Sequence, residues 1–387
     1  MSAAIALPRL MRIGSGAAGQ LSAVLAMLGL ERPLLMIDPF LKETAVLQGL
    51  IRGLEGAGMA PRIFADTIPE PTVASVEAAL AFLQDADHDC VVAIGGGSPI
   101  DTAKAVAVLS IHGGRMSDYK VPHQQDRPGL PIIAIPTTAG TGSEATRTTV
   151  ITDQATDEKM VCLGLAFLPV AALVDFELTL TKPARLTADT GLDALTHAIE
   201  AYVSRKANPF SDAMALAAMR LLAPNLRRAF RDGGDRAARE AMMLGASQAG
   251  MAFSNSSIAL VHGMSRPIGA HFHIAHGLSN AMLLPTITAY SAPAAVGRYA
   301  DCARAMALSR SEDNDHAAVS LLIDELRSLN RDLQVPSPKA YGIDENRWTA
   351  LIPLMAQQAL ASGSPGNNPR LATPDDIEAL YREVWAG

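Results

Sequence analysis

The chain has 387 residues, of which 49% are hydrophobic and 18% charged, so it holds enough apolar material for packed cores and too little charge for a disordered chain. This length exceeds what one hydrophobic core usually supports, and two domains are therefore expected. The formal net charge of -7 and the lack of a long Lys/Arg cluster argue against a nucleic-acid partner and favour a small molecule.

The cysteines and the N-terminus indicate where the protein works. Cys90, Cys162 and Cys302 lie far apart and leave one cysteine over from any pairing, which is typical of a reducing compartment. The apolar run at residues 21–30 is too short to cross a bilayer, and the N-terminal segment as a whole predicts a strand, a glycine turn and a helix. We expect a cytoplasmic protein without a membrane partner.

The first half of the chain alternates short apolar strands with amphipathic helices. Strands are predicted at residues 33–37, 90–94 and 132–135, with helices at 42–57 and 73–84 between them. Such alternation predicts a parallel sheet covered by helices, whose binding crevice lies at the carboxyl ends of its strands.

The pattern changes after about Glu177. From residue 187 onward, Ala-, Leu- and Met-rich stretches recur at helical spacing, as in 212–230, 237–251 and 317–329, and strand signals are scarce. A last helix is predicted to begin at 373–376, after a loop. The chain therefore predicts an α/β, Rossmann-like nucleotide-binding domain over residues 1–178 and an all-α domain over residues 179–387.

A glycine-rich turn follows the strand at 90–94 in the motif GGGSPIDTAK, which includes Gly96, Gly97, Ser98 and Asp101. Glycines at a strand end let backbone N–H groups approach an anion, and the helix that follows adds its positive N-terminal end. The plain alternative is a tight strand-to-helix turn, but the flanking strand and helix favour a pyrophosphate site.

A second loop, PTTAGTGSEAT, follows the strand at 132–135 and carries Thr137, Thr138 and Thr141. Hydroxyls and bare backbone at a strand end suit a nucleotide, although the segment alone could be a Ser/Thr-rich turn. Asp38 ends the strand at 33–37, where a carboxylate can bind the adenosine ribose hydroxyls and repel a 2′-phosphate, which favours NAD over NADP. The alternative for Asp38 is a turn or cap residue before Pro39.

The histidines are unevenly distributed. Four of the nine fall in the segment VHGMSRPIGAHFHIAHG, at His262, His271, His273 and His276. Farther back, GLDALTHAIEAYVS places Asp193 and His197 four residues apart, on one face of a helix. A carboxylate with three imidazoles forms a plausible Zn²⁺ or Fe²⁺ site that leaves room for a substrate oxygen.

These motifs together resemble the iron-containing (group III) alcohol dehydrogenases over essentially the whole chain. The matching segments are GGGSPIDTAK, PTTAGTGSE, GLDALTHAIEAY, AFSNSSIALVHGMSRPIGAHFHIAHG and NPRLATPDDIEALY. The resemblance implies a dehydroquinate synthase-like fold with a metal, often Fe²⁺ and in some members Zn²⁺, in the cleft between the two domains. It also implies that the metal ligands are Asp193, His197, His262 and His276.

The resemblance implies cofactor contacts and an assembly as well. Gly96, Gly97, Ser98 and Asp101 are expected at the pyrophosphate and nicotinamide side of NAD, the three threonines along the nucleotide, and Lys159 at a ribose hydroxyl. Members of the family are usually dimers or larger homo-oligomers.

Two positions depart from the family pattern. Arg266 stands in HGMSRP, where many relatives have a histidine, so the proton-relay role of that histidine cannot be carried over. His271, close in sequence to His276, is the candidate relay instead, with His273 a weaker one. Glu70 stands in IPEPT, where asparagine is common, which puts one cofactor contact in doubt.

We expect an enzyme that interconverts a primary alcohol and its aldehyde by hydride transfer to NAD. Arg266 suggests a substrate with an anionic far end, such as the ω-hydroxy acid 5-hydroxyvalerate, or else forms a structural ion pair with an acidic neighbour. The alternative enzyme class is a dehydroquinate-synthase-like lyase that also binds NAD and a metal. A non-enzymatic protein is disfavoured because all four candidate ligands are present.

Overall fold

The computed structural model describes residues 3–156 and 158–386, which form two compact units. The first unit is Ala6–Thr181. The second contains the described residues from Lys182 onward, together with those up to Ile5.

The first unit alternates strands and helices. Its strands are β1 (Leu10–Ile13), β2 (Pro33–Ile37), β3 (Arg62–Phe64), β4 (Cys90–Gly95), β5 (Ile132–Pro136), β6 (Thr148–Asp153), β7 (Glu158–Leu163) and β8 (Ala171–Val174). Its helices are α1 (Leu21–Leu28), α2 (Ala45–Gly56), α3 (Val73–Gln84) and α4 (Gly97–His112). The strands and helices predicted for this half are thereby confirmed, with ends that differ by at most three residues.

Six of these strands form one parallel sheet in the order β1-β8-β5-β4-β2-β3. The chain moves outward from β2 to β3 and then returns past β2 to β4, so the direction of the connections reverses between β2 and β4. A reversal of this kind opens a crevice at the carboxyl ends of the two strands, where ligands bind in open α/β sheets. The sheet is therefore wound so that the loops after β2 and β4 face one crevice.

The central strands are buried on both faces. Every residue of β2, β4 and β5 is buried, which is why these segments read as unbroken apolar runs rather than as alternating ones. Two layers of apolar side chains, one on each face, form the core of this unit.

Four strands were not among the predicted ones. β3 has three residues and lies at the sheet edge, and β8 has four. β6 and β7 form a separate antiparallel hairpin in which buried and partly exposed residues alternate. β3, β6 and β7 bury few apolar residues in a row, so a search for continuous apolar runs does not find them. β8 (AALV) is apolar and fully buried, and it was missed although its run is as long as the predicted one at 132–135.

The second unit is helical throughout its regular structure. Its helices are α5 (Ala184–Val203), α6 (Pro209–Arg231), α7 (Arg236–Ser254), α8 (Leu260–Phe272), α9 (His276–Ser291), α10 (Val296–Ala305), α11 (Asp315–Asp332), α12 (Pro338–Tyr341), α13 (Glu345–Ala361) and α14 (Pro374–Ala386). This agrees with the predicted all-α half, including its last helix.

Helix α5 lies at the centre of the second unit. It packs against α6, α7 and α9, and 16 of its 20 residues are buried. A helix enclosed in this way can bury polar side chains at low cost only if they are hydrogen-bonded or bind an ion. Among the described residues, no helix is long and apolar enough to cross a membrane.

Candidate metal centre and nucleotide site

Three helices of the second unit bring four ligand-type side chains to one point. Asp193 and His197 lie one turn apart on α5, His262 is in the first turn of α8, and His276 is the first residue of α9. One ligand atom from each lies within 4.8 Å of every other. The Nε2 atoms of His262, His276 and His197 are 3.5, 3.8 and 3.9 Å from Asp193 Oδ1. Ligands that each sit about 2.0 to 2.2 Å from one Zn²⁺-sized ion are separated by such distances.

Burial and charge fit this cluster to a cation. The side chains of Asp193 and His262 are 3% and 2% exposed, whereas that of His276 is 37% exposed, so the cluster is open on one side. Burial alone would raise the pKa of Asp193, but the imidazoles of His197, His276 and His262 outweigh it and hold the pKa of this carboxyl far below its usual range. Asp193 is therefore an anion available to a metal ion.

Asn280, one turn after His276 on α9, marks the point where the ligand atoms converge. Its Nδ2 lies 2.7 Å from Asp193 Oδ1, 3.1 Å from His262 Nε2 and 3.3 Å from His276 Nε2. Its Oδ1 is buried without a hydrogen-bond partner among the described residues. The Asn280 NH₂ group thus lies among three atoms with lone pairs, Asp193 Oδ1 and the Nε2 atoms of His262 and His276. Its own carbonyl oxygen is buried beside them. A site so rich in electron-pair donors fits a cation. The sequence did not point to this residue.

Glu200 holds one ligand in place and was also missed. Its Oε2 accepts hydrogen bonds from His262 Nδ1 at 2.6 Å and the Ala259 N–H at 2.9 Å, and its Oε1 accepts from the Val261 N–H at 2.6 Å. A carboxylate behind a ligating imidazole fixes the tautomer and directs the other ring nitrogen at the metal. The spacing could have revealed it, because Glu200 lies seven residues after Asp193 and so on the same helix face.

Replacing Glu200 with glutamine should weaken metal binding about 10- to 100-fold, the usual effect of losing such a partner. The glutamine NH₂ would replace one carboxylate oxygen and face either the Val261 N–H or the donors of His262 and Ala259, and in both cases the negative charge behind His262 is lost. The measurement is the Kd for Zn²⁺ or Fe²⁺ by chelator competition. Glu240→Gln, at an exposed position of α7, is the matched control and should leave the Kd unchanged. Equal affinity in the two variants would show that Glu200 does not support the metal.

The other two histidines of the cluster segment are not members of this site. His271 Nε2 pairs with Gln358 Oε1 at 2.8 Å. His273 is exposed and ends α8 in a left-handed conformation with φ 54°. The relay role of His271 stays a prediction.

Arg266 lies one helical turn after His262 on α8. Its Nη1 donates to Ser364 Oγ at 3.0 Å, and no carboxylate of a described residue lies within ion-pair distance of its guanidinium. Burial lowers the pKa of Arg266 to about 10, against the opposing influence of Glu200, so the side chain remains charged at neutral pH. The structural ion pair that was the alternative for this residue is not formed.

In the first unit, strand register brings the predicted nucleotide loops side by side. Ile37 pairs with Ile94 and Gly95 with Pro136, so the loops after β2, β4 and β5 begin at one edge of the sheet. Asp38 begins the first of them, accepts a 3.5 Å hydrogen bond from the Phe40 N–H and thus also caps a short turn.

The glycines of the loop after β4 lie close to the threonines of the loop after β5. A Cβ at Gly96 would lie 3.3 Å from Thr138 Oγ1, and one at Gly97 would lie 2.9 Å from Thr141 Cγ2. Because α4 starts at Gly97, its free backbone N–H groups are directed to the same edge. Bare backbone at a helix N-terminus, lined by hydroxyls, fits the phosphate groups of a dinucleotide.

Asp101 and Thr137 are both expected near the cofactor, and Asp101 is partly buried while Thr137 is buried. The Asp101 carboxylate accepts hydrogen bonds from Ser143 Oγ at 2.7 Å and the Val150 N–H at 3.0 Å. Thr137 is fully buried, and its hydroxyl has no partner among the described residues. A cofactor contact for either residue stays a prediction.

Lys104, on α4, holds the loop after β5 in place by hydrogen bonds, a role that the sequence did not reveal. Its fully buried ammonium donates to Ser143 Oγ at 2.9 Å, to Thr146 O and Oγ1, each at 3.0 Å, and to Thr148 O at 2.8 Å. Burial lowers the pKa of Lys104 to about 8, and the nearby carboxylate of Asp101 acts in the opposite direction. The loop after β5 is thus held to α4 by a buried polar network.

A buried cluster of candidate metal ligands in a helical unit and a glycine-rich edge on a parallel sheet are the features of a metal-dependent, nucleotide-binding enzyme. The profile "Iron-containing alcohol dehydrogenase" matches residues 8–176, and "Fe-containing alcohol dehydrogenase family, C-terminal" matches residues 187–385. The chain therefore belongs to the iron-containing alcohol dehydrogenase family, whose members interconvert alcohols and aldehydes.

Individual relatives match this chain over nearly their whole length. Long-chain-alcohol dehydrogenase 1 of Geobacillus thermodenitrificans is 39% identical, over 100% of this chain and 97% of that protein. The NAD-dependent methanol dehydrogenase of Bacillus methanolicus is 36% identical, over 96% of this chain and 97% of that protein. The crystal structure of a 1,3-propanediol oxidoreductase matches with a TM-score of 0.94 and 34% identity, over 99% of this chain and 100% of that one.

The comparisons confirm the expected fold class, enzyme class and cofactor type. The fold is that of the family's solved structures, and the metal cluster and NAD-dependent relatives agree with NAD and a divalent metal as cofactors. The family matched is that of the dehydrogenases and not of the lyase considered as the alternative.

Proposed function

We propose that this protein is an NAD-dependent alcohol dehydrogenase that interconverts a primary alcohol and its aldehyde at a divalent metal held by Asp193, His197, His262 and His276. The observation that carries the proposal is the convergence of these four side chains, from three helices, within 4.8 Å of one another. When bound, such a metal supplies Lewis acidity toward the substrate oxygen, and NAD accepts the hydride.

Some side chains of the site bind the substrate or NAD, and others orient the metal ligands. Glu200 orients His262, and the partial exposure of His276 leaves the substrate a path to the cluster. Asp38 receives the adenosine ribose hydroxyls, while the backbone of Gly96, Gly97 and Ser98 receives the pyrophosphate, with Asp101, Thr137, Thr138, Thr141 and Lys159 completing the nucleotide site. His271 carries the released proton, with its Nε2 held by Gln358.

The basic assay is NADH formation from a primary alcohol, followed by absorbance, with protein stripped of metal and then reloaded with Fe²⁺ or Zn²⁺. We expect turnover only in the reloaded protein, with net production of NADH. Full turnover by the stripped protein would exclude the metal-dependent mechanism. Turnover that recycled NAD without net NADH would instead indicate lyase chemistry.

Arg266 supports a finer proposal, that the substrate is an ω-hydroxy acid such as 5-hydroxyvalerate. A partly buried guanidinium with one neutral partner, Ser364, and no carboxylate beside it has N–H groups left for an anion. Residues four apart share a helix face, so Arg266 is directed to the same side of α8 as the ligand His262. A carboxylate at the far end of the substrate would supply the missing counter-charge.

The test is kcat/KM for 5-hydroxyvalerate and for 1-pentanol, in the wild type and in Arg266→Met. We expect the wild type to prefer the acid and the variant to lose about 10- to 100-fold on the acid alone, as for a hydrogen bond to a charged group. Arg382→Met, at an exposed position of α14, is the control and should change neither value. A wild type without preference for the acid would refute the substrate proposal and leave the dehydrogenase assignment intact.

We propose further that the enzyme is a homodimer or larger homo-oligomer in the cytoplasm. Its three cysteines are free and buried, and burial raises the pKa of the Cys162 thiol to about 12, so these thiols suit a reducing compartment. Sedimentation of the metal-loaded protein tests the assembly, and a monomer at micromolar concentration would contradict it.

A further inference from the structure

Beside the ligand cluster, helix α9 contacts helix α5 through a glycine. Gly277 directly follows the ligand His276 and lies in the first turn of α9. A Cβ at this position would lie 2.3 Å from the backbone oxygen of Asp189 and 2.8 Å from its carbonyl carbon. Asp189 is one helical turn before the ligand Asp193 on α5. The two helices that carry these ligands therefore touch at Gly277 with no side chain between them.

The glycine is needed for space and not for conformation. Gly277 has helical backbone and is not among the glycines with positive φ, so an alanine could adopt the same backbone angles. Glycine is a poor helix former, and a glycine within a helix usually has a packing reason. At Gly277 that reason is the carbonyl group of Asp189.

The group that Gly277 faces cannot turn aside as a flexible side chain could. It is a backbone carbonyl within α5, a helix with 16 of its 20 residues buried. With an alanine at position 277, the distance from Cβ to the Asp189 oxygen would have to widen from 2.3 Å to at least 3.4 Å, where ordinary contact begins. Distances in metal sites are kept within about 0.2 Å of their preferred values. The displacement would be several times larger than this tolerance.

Two polar distances of the metal centre span the same contact between α9 and α5. His276 Nε2 lies 3.8 Å from Asp193 Oδ1, and Asn280 Nδ2 lies 2.7 Å from the same oxygen. Since α9 begins at His276 and is buried from Leu278 to Pro285, its first turn can tilt outward while its later turns stay packed. A side chain at Gly277 would therefore act mainly on the distance between the ligands of the two helices.

We propose that Gly277 is a positioning residue of the metal centre: because it has no side chain, α9 approaches α5 closely enough for His276 and Asp193 to bind one ion. The proposal rests on the proposed metal-dependent function and adds to it a residue that offers the metal no ligand atom. The size of the ion that the cluster accepts is then set in part by this contact between two helices.

The test is the binding of Zn²⁺, and of the larger ion Cd²⁺, to metal-free wild type and Gly277→Ala, with each Kd measured by chelator competition. We expect the variant to lose about 10- to 100-fold in affinity for Zn²⁺, the usual effect when a ligand loses its orientation. It should lose less for Cd²⁺, because a site whose ligands lie farther apart accommodates a larger ion. A purely structural role for Gly277 would not change the preference between the two ions.

Gly297→Ala is the matched control, since Gly297 lies in helix α10 of the same unit and a Cβ there would lie 3.7 Å from Asp315 Oδ2, an ordinary contact. It should keep both Kd values. Wild-type affinities in Gly277→Ala, or equal losses for the two ions, would overturn the proposal. Urea unfolding of the metal-free proteins checks the fold, and a Gly277→Ala protein that does not fold would overturn it too, because the contact would then support the whole unit. A wild type that binds neither ion would instead refute the proposed metal centre itself.

Discussion

Asp193→Ala should purify with little metal and lose at least about 10³-fold in kcat/KM, because the several kcal/mol that a Lewis acid contributes to catalysis would be lost. Asp193 is the anionic member of the ligand cluster, and its Oδ1 lies within 3.9 Å of the ring nitrogens of all three histidines. Without it, three imidazoles and the N–H of Asn280 would face one another with no negative charge to attract a cation.

The measurements for this variant are metal content by elemental analysis and kcat/KM on a primary alcohol. Asp324→Ala, which removes an exposed carboxylate of α11 in the same unit, should keep both values. Full metal content and turnover in Asp193→Ala would contradict the assignment of the metal centre.

Lys104→Met should destabilise the protein by about 3 to 5 kcal/mol, the usual effect of removing one partner from a buried charged network. The substitution keeps the apolar stem but leaves Ser143, Thr146 and Thr148 without their donor. Urea unfolding measures the change, and Lys42→Met, at an exposed position, should cost less than about 0.5 kcal/mol. Similar unfolding free energies for the two variants would show that the Lys104 network is not important for stability.

A comparison of the wild type with Lys104→Met also tests the pKa of Lys104, which burial lowers from 10.5 to about 8. Between these two values the unfolded chain keeps a proton that the folded protein has released, so the free energy of unfolding rises with pH. The stability difference between wild type and Lys104→Met should therefore widen from pH 8 toward pH 10. A difference that stays constant or narrows over this range would contradict the shift.

The sequence predicted the fold best where burial is continuous. β2, β4 and β5 are enclosed on both faces, so their apolar runs were unambiguous, and the change to helical spacing after Glu177 marked the all-α half. The hairpin of β6 and β7 was missed because it is covered on one side only, and its alternating residues are mostly polar or partly exposed.

For the site, the sequence predicted the side chains whose chemistry is unusual in itself. Asp193 and His197 at helical spacing, with clustered histidines, indicated a metal. Asn280 and Lys104 were not predicted, because their roles depend on which group each one faces, and that is decided by packing between distant segments. Glu200 was overlooked, although its spacing from Asp193 places it on the same helix face. For Asp101 the motif predicts a cofactor contact, which stays a prediction; the hydrogen bonds of its carboxylate to Ser143 and Val150 depend on packing and could not be read from the motif.

The most direct test of the metal centre is an anomalous-difference map from crystals of the Zn²⁺- or Fe²⁺-loaded protein. We predict one strong peak in the second unit, about 2.0 to 2.2 Å from Asp193 Oδ1 and from one ring nitrogen each of His197, His262 and His276. A loaded, active protein whose metal peak lies elsewhere, or is bound by fewer than three of these side chains, would contradict the account.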